Sequence, residues 1–178
     1  MKTILPEIGL FGTCGNSTWR QKFIDTYIER GIPFFNPQVP DWNPEFAKEE
    51  ARHLAHDGIV LFPVLAETYG CGSLAETGFS IAQAMRFDDR RDFIILIDPK
   101  PDPSLDTDNP DQRTSRVAYK ESCRARALCI EHLKGFKLRN VYVVGTLEEM
   151  LNLSLVLHEN LLRVLGVQYY SLAELNIH

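Results

Sequence analysis

The four cysteines of this chain, Cys14, Cys71, Cys123 and Cys129, form no Cys-x-x-Cys pair, and none of the five histidines stands at a metal-ligand spacing from them. With no His-Glu-x-x-His segment either, the spacing predicts neither zinc, nor any other bound metal, nor a disulfide framework. His53 and His56 lie three apart on a predicted helix and share a face, but no further ligand accompanies them in sequence. Positive charge is also in deficit, with 19 basic residues against 24 acidic ones, a net charge of −5 and a pI near 5.5. That balance excludes a nucleic-acid polymer as the main partner, because such binding is driven by basic patches. A small nucleotide stays compatible with it. Long apolar runs are lacking too. The opening MKTILPEIGLFGTCG breaks too soon into Gly, Thr and Asn for a signal peptide or a membrane span, so no membrane partner and a cytoplasmic location are expected. Internal repeats and low-complexity segments are absent.

What is present is apolar periodicity. With 44% hydrophobic residues in 178, the chain fits one domain with a sizeable core. Short branched runs at Ile4 to Phe11, Ile32 to Phe35, Gly58 to Val64, Phe93 to Ile97 and Asn140 to Val144 predict five strands. Helical patterns follow them at Trp19 to Arg30, Pro44 to His56, Ser73 to Phe87, Thr114 to Leu133 and Leu147 to Leu165. Gly31 and Gly166 are expected to stop the first and last of these, and Asn43 with Pro44 to open the second. Strand and helix alternating five times specify an α/β fold, a five-stranded parallel sheet with helices on both faces in flavodoxin-like order.

In such sheets ligands bind at the carboxyl ends of the strands, which makes the loops after them the places to search. The first is Gly12-Thr13-Cys14-Gly15-Asn16-Ser17, glycine-rich but neither a dinucleotide fingerprint nor a P-loop. It is either an ordinary strand-to-helix turn or a seat in which its amides, Asn16 and Ser17 hold a sugar hydroxyl or phosphate. Arg20, just beyond, either favours a phosphate or is solvated. After the second strand come Asn36, Asp41 and Trp42, the tryptophan serving either to stack on a base or to plug a gap. Asp98 ends the fourth strand at the same edge, and Lys100 to Asp111 reads as a loop or lid. Asp57 precedes its strand and so falls at the wrong end of the sheet. The arginines of the fourth helix read as a solvated face.

The third loop is the centre of the reading. Tyr69-Gly70-Cys71-Gly72-Ser73-Leu74-Ala75-Glu76 turns from the most apolar strand into a helix. Ser73-x-x-Glu76 has the form of a capping box, and equally that of an ionised carboxylate held at a helix start, which is what a nucleophile requires.

With these loops in place the sequence resembles the nucleoside 2-deoxyribosyltransferase superfamily, in its nucleoside 2-deoxyribosyltransferase-like branch. Gly12 to Arg20, Phe35-Asn36-Pro37 with Asp41-Trp42, and Ser73-Leu74-Ala75-Glu76 with Gly78 carry the likeness, which spans the first half of the chain. The resemblance implies that Glu76 attacks the anomeric carbon of a nucleoside or nucleoside monophosphate and passes the sugar to another base or to water. It implies no cofactor, a homo-oligomer, and a second carboxylate on the second helix, for which Glu49 and Glu50 are the candidates. The family's leaving-group aspartate has no counterpart before Glu76, where Glu67 and Tyr69 stand instead. A nucleotide-binding module without turnover is the alternative, and flavin binding a weaker one.

Overall fold

The computed structural model describes residues 5–39, 43–87, 91–108 and 115–174. The strands β1 (Leu5–Leu10), β2 (Phe34–Phe35), β3 (Asp57–Val64), β4 (Asp92–Ile97) and β5 (Val141–Val143) form one sheet in the order β2-β1-β3-β4-β5. Every pairing is parallel, so the fold is α/β with flavodoxin-like strand order. Among the described residues five α-helices connect or follow the strands: α1 (Trp19–Arg30), α2 (Pro44–His56), α3 (Cys71–Phe87), α4 (Arg116–Gly135) and α5 (Leu147–Glu174).

The sheet is buried on both faces, and strand alternation sorts its side chains into two cores. On one face Ile8, Leu10, Ile59, Leu61, Ile94 and Leu96 meet Trp19, Phe23 and Tyr27 of α1 and Met150, Leu151 and Leu157 of α5. On the other, Phe11, Val60, Phe62, Val64, Phe93 and Ile95 meet Leu74 of α3 and Leu133 of α4, with Leu54 of α2 packed against them. Each large apolar side chain so buried contributes about 2 kcal/mol, and β3, buried along its whole length, is the axis of both cores.

Local signals act as expected at two helix ends. Gly31 takes a left-handed φ of 64° and closes α1 by donating to the Ile28 and Tyr27 carbonyls. Asn43 caps α2, its side chain accepting the Phe46 N–H at 3.0 Å. Three other expectations are corrected. Gly166 does not stop α5, which continues to Glu174, since a lone glycine costs a helix only about 1 kcal/mol and no proline follows it. The fourth helix starts at Arg116, because Ser115 caps it by accepting the Ala118 N–H at 3.3 Å. The third starts at Cys71 rather than at Ser73. Among the described residues no helix is long and apolar enough to cross a membrane.

Strand order reverses between β1 and β3, where the chain passes outward to β2 and returns. The loops leaving those two strands flank the crevice that such a reversal opens. They are joined directly: Thr13 N–H donates to the Pro63 carbonyl at 2.8 Å, and Leu65 N–H donates to the Thr13 hydroxyl oxygen at 2.8 Å.

Candidate active site

The loop after β1 is held from beneath by Arg20. Its guanidinium is buried and donates to the carbonyls of Leu10 at 2.8 Å, Thr13 at 2.7 Å, Phe11 at 3.3 Å and Gly12 at 3.4 Å, and to Cys14 Sγ at 3.4 Å. Arg20 is therefore not solvated, a correction to that expectation, and its guanidinium is spent largely on the loop's own carbonyls. Burial lowers its proton affinity, while the charges of Glu50 and Glu76 act the other way. Gly12 is required where it stands. Its φ is 90°, and a Cβ there would fall 2.5 Å from the Pro63 carbonyl oxygen. Thr13 is wholly buried, its carbonyl also taking the Trp19 indole N–H at 2.9 Å.

Glu76 lies in the second turn of α3. Gly70, at φ 70°, starts that helix early and accepts the Leu74 N–H at 2.9 Å. Ser73 thus sits inside the first turn, buried, with its carbonyl accepting the Thr77 hydroxyl at 2.7 Å, and the expected capping box is not formed. The Glu76 carboxyl is half-buried, and among the described residues nothing donates a hydrogen bond to it. Burial raises its pKa to about 7; the negative charge of Glu50 pushes the same way and Arg20 opposes. Glu50, on α2, is the carboxylate that acts on Glu76. Glu49 instead turns to Arg52, whose Nε donates to it at 2.8 Å on the exposed side of the helix.

Glu50 lines a cleft of about 730 Å³ with Cys14, Gly15, Asn16, Pro37, Gln38 and Val39. A neighbouring hollow of about 480 Å³ takes in Asn16, Ser17, Arg20 and Asn36. Gln38 links the two lips, donating from Nε2 to the Gly15 carbonyl at 2.7 Å, while its N–H donates to Asn36 Oδ1 at 3.0 Å. So Asn16, Ser17 and Asn36, from the strand-end loops, line the two neighbouring hollows together with Glu50 of α2. Glu76 lines neither hollow, and its link to them is the Glu50 charge. Asp41 and Trp42 lie outside the described residues.

Two expected participants are otherwise engaged. Asp98 accepts the Ala66 N–H at 2.7 Å and so fastens β4 to the loop after β3. Tyr69 accepts the Ser115 N–H at 2.8 Å and donates to the Leu105 carbonyl at 3.1 Å, which removes its phenol from the list of proton donors. Leu105 belongs to the short helical turn Pro103–Leu105, and Asp102 N–H donates to the Ala66 carbonyl at 2.7 Å, so the described part of the presumed lid is tied down. Glu67 is exposed.

Sequence reasoning missed Arg126. This α4 residue is fully buried and donates to the carbonyls of Val64 at 2.9 Å, Asp98 at 2.9 Å, Leu65 at 2.8 Å and Thr68 at 2.9 Å, and to Ser122 Oγ at 3.2 Å. It does for the loop after β3 what Arg20 does for the loop after β1. The solvated arginine face expected on α4 holds for Arg116 and Arg124 and fails here.

At the opposite end of the sheet stands a second polar group. Asp57 opens β3 away from the cleft, in keeping with its exclusion, and is fully buried. His53 Nδ1 lies 2.8 Å from Asp57 Oδ1 and 3.4 Å from Glu7 Oε2, while its ring stacks on Phe35 at 3.8 Å. Burial raises Asp57 to a pKa of about 6, partly offset by its bond to His53. Glu7 is distant in sequence, which is why ligand spacing gave no sign of this cluster. Comparison with protein-family models and with curated proteins finds no match to this chain.

Proposed function

We propose that this protein cleaves the N-glycosidic bond of a nucleoside or nucleoside monophosphate, with Glu76 as nucleophile and Glu50 as its partner. The observation that carries the reading is the Glu76 carboxyl: half-buried, without a hydrogen-bond donor among the described residues, and raised to about 7 by burial and by Glu50. A carboxylate with a structural task is normally paired. One left unpaired within electrostatic reach of a second carboxylate offers the kind of nucleophile that a retaining glycosidase uses.

In that mechanism a Glu76 carboxylate oxygen bonds to C1′ as the C1′–N bond breaks. The bonding pair departs with the base, which takes its proton from solvent water, because the Glu50 that raises Glu76 is an ionised carboxylate. Water or a second base, deprotonated by Glu50, then attacks C1′ and releases Glu76. The ionised fraction of Glu76 grows as the pH passes about 7. Asn16, Ser17 and Asn36 supply polar contacts for sugar or base, with Gly12 letting the loop come close to Pro63. The resemblance to nucleoside 2-deoxyribosyltransferases points the same way.

A nucleotide-binding module without turnover is the second reading, and the engagement of Tyr69 in holding Leu105 and Ser115 favours it. Chromatography separates the two. Wild type and Glu76→Ala are incubated with deoxynucleosides, ribonucleosides and their monophosphates, with and without a second free base. Base released by wild type alone supports the enzyme, and a new nucleoside makes it a transferase. Release by neither protein, with ligand binding unchanged, leaves the binding module.

A further inference from the structure

We propose that Glu7, His53 and Asp57 bind one divalent transition-metal cation at the amino end of the sheet. The site stands apart from the glycosidic reading and does not depend on it. Among the described residues, these three form a set whose donor atoms all lie within 4.8 Å of one another. They come from three elements, the irregular stretch of β1 between Leu5 and Ile8, the last turn of α2 and the first residue of β3.

The second observation is what the cluster leaves unsatisfied. Asp57 is wholly buried, yet no donor reaches its Oδ2; Glu7 Oε2 is buried in the same state. Buried carboxylate oxygens without a donor are rare, and a bound ion is one of the few things that satisfies them. The nearby cations act on Asp57 by charge and give no hydrogen bond to Oδ2. Arg91 gives its Nε to the Asp57 carbonyl at 2.7 Å and one Nη to the Leu54 carbonyl at 2.8 Å. Arg52 gives its Nη2 to His53 Nε2 at 2.7 Å.

One imidazole nitrogen and two carboxylate oxygens suit zinc, manganese or iron rather than calcium or magnesium, which prefer all-oxygen shells. Metal–ligand bonds of about 2.0–2.1 Å at a tetrahedral centre set donor atoms about 3.3 Å apart. His53 Nδ1 and Glu7 Oε2 are already 3.4 Å apart, the 2.8 Å between Nδ1 and Asp57 Oδ1 has only to open by roughly half an ångström, and an ion held by both Asp57 oxygens also satisfies Oδ2. Water completes the shell.

Occupancy requires one rearrangement. With Arg52 donating to Nε2, the ring proton sits on Nδ1 and points at Asp57. The cation takes the Nδ1 lone pair, the ring proton passes through solvent to Nε2, and Arg52 turns away. Its side chain is half-exposed and keeps its ion pair with Glu49, so the move is open to it. The ion would then clamp α2 to β1 and β3 one turn below Glu50.

The test titrates chelator-treated full-length protein with zinc by calorimetry and with cobalt by visible absorption, in wild type and in Glu7→Gln. Glu7 is chosen because its side chain is 30% exposed and its loss spares the core. One zinc per chain is expected, with affinity falling at least tenfold in Glu7→Gln, and cobalt bands lacking thiolate charge transfer. No stoichiometric zinc, equal affinity in the variant, or a thiolate band that assigns the ion to cysteine would each overturn the proposal.

Discussion

The two ends of the β3 strand carry the same kinds of group in different settings. At the carboxyl end, Glu76 is raised by burial and by a second carboxylate, Glu50, with Arg20 opposing. At the amino end, Asp57 is raised by burial and by a second carboxylate, Glu7, with His53 and Arg91 opposing. The difference lies in hydrogen bonds and access. Asp57 is fully enclosed and takes a direct bond from His53, whereas Glu76 is half open, unbonded by described residues, and coupled to a cleft through Glu50. Proton affinity alone therefore does not tell the two carboxyls apart. What separates the two settings is access from solvent, which Glu76 has and Asp57 lacks.

The largest effect should come from breaking this contrast at its open end. Glu76→Gln is expected to lower base release by at least about 10³-fold with the fold intact, while Asp57→Asn leaves turnover within the same order as wild type. Steady-state assays on both, beside circular dichroism, check it; comparable losses in the two variants break the contrast.

Next in size is the removal of a buried arginine. Arg126→Ala leaves the carbonyls of Val64, Leu65, Thr68 and Asp98 without their donor, and should cost about 3–4 kcal/mol in urea unfolding. A loss below about 1 kcal/mol would mean that water takes over those bonds.

Neither arginine was legible beforehand, and the reason is physical. In an amphipathic helix an arginine reads as solvated, and only the tertiary path of the strand-end loops creates the carbonyl cages that Arg20 and Arg126 fill. The Glu7–His53–Asp57 cluster was hidden in a similar way, since β1 and α2 meet only in the folded sheet. The sheet order was legible, because runs such as that of β3 are branched, uncharged and buried on both faces. Gly31 and Asn43-Pro44 were legible as helix boundaries because their chemistry is local. Of the two readings of Ser73-x-x-Glu76, the capping box fails because the left-handed Gly70 sets the helix start two residues before the expected cap.

Smaller and sharper is the effect of Glu50→Gln. If Glu76 must be ionised, kcat/KM rises with pH up to a limb near 7. Removing the Glu50 charge lets Glu76 ionise sooner, so the limb moves to lower pH in whatever activity the variant retains. An unmoved limb separates the two carboxyls and removes Glu50 from the account.

The smallest effect is on stability. The folded pKa of Glu76 is raised from 4.5 to about 7, so between those values the native state holds more protons than the unfolded chain. Stability contributed by this group is lost as the pH rises through that window. Glu76→Gln should accordingly be more stable than wild type at pH 8 by roughly 1 kcal/mol, after allowance for solvent screening, and no more stable at pH 4. Paired thermal melts at the two pH values read the difference.

The most direct test of the nucleophile is mass spectrometry on the protein itself. Wild type is mixed with the substrate found in the base-release panel, quenched in acid and digested. A gain of one sugar mass is expected on the peptide containing Glu76, absent from Glu76→Gln. Sustained base release by Glu76→Gln, with no sugar on that peptide in wild type, would contradict it.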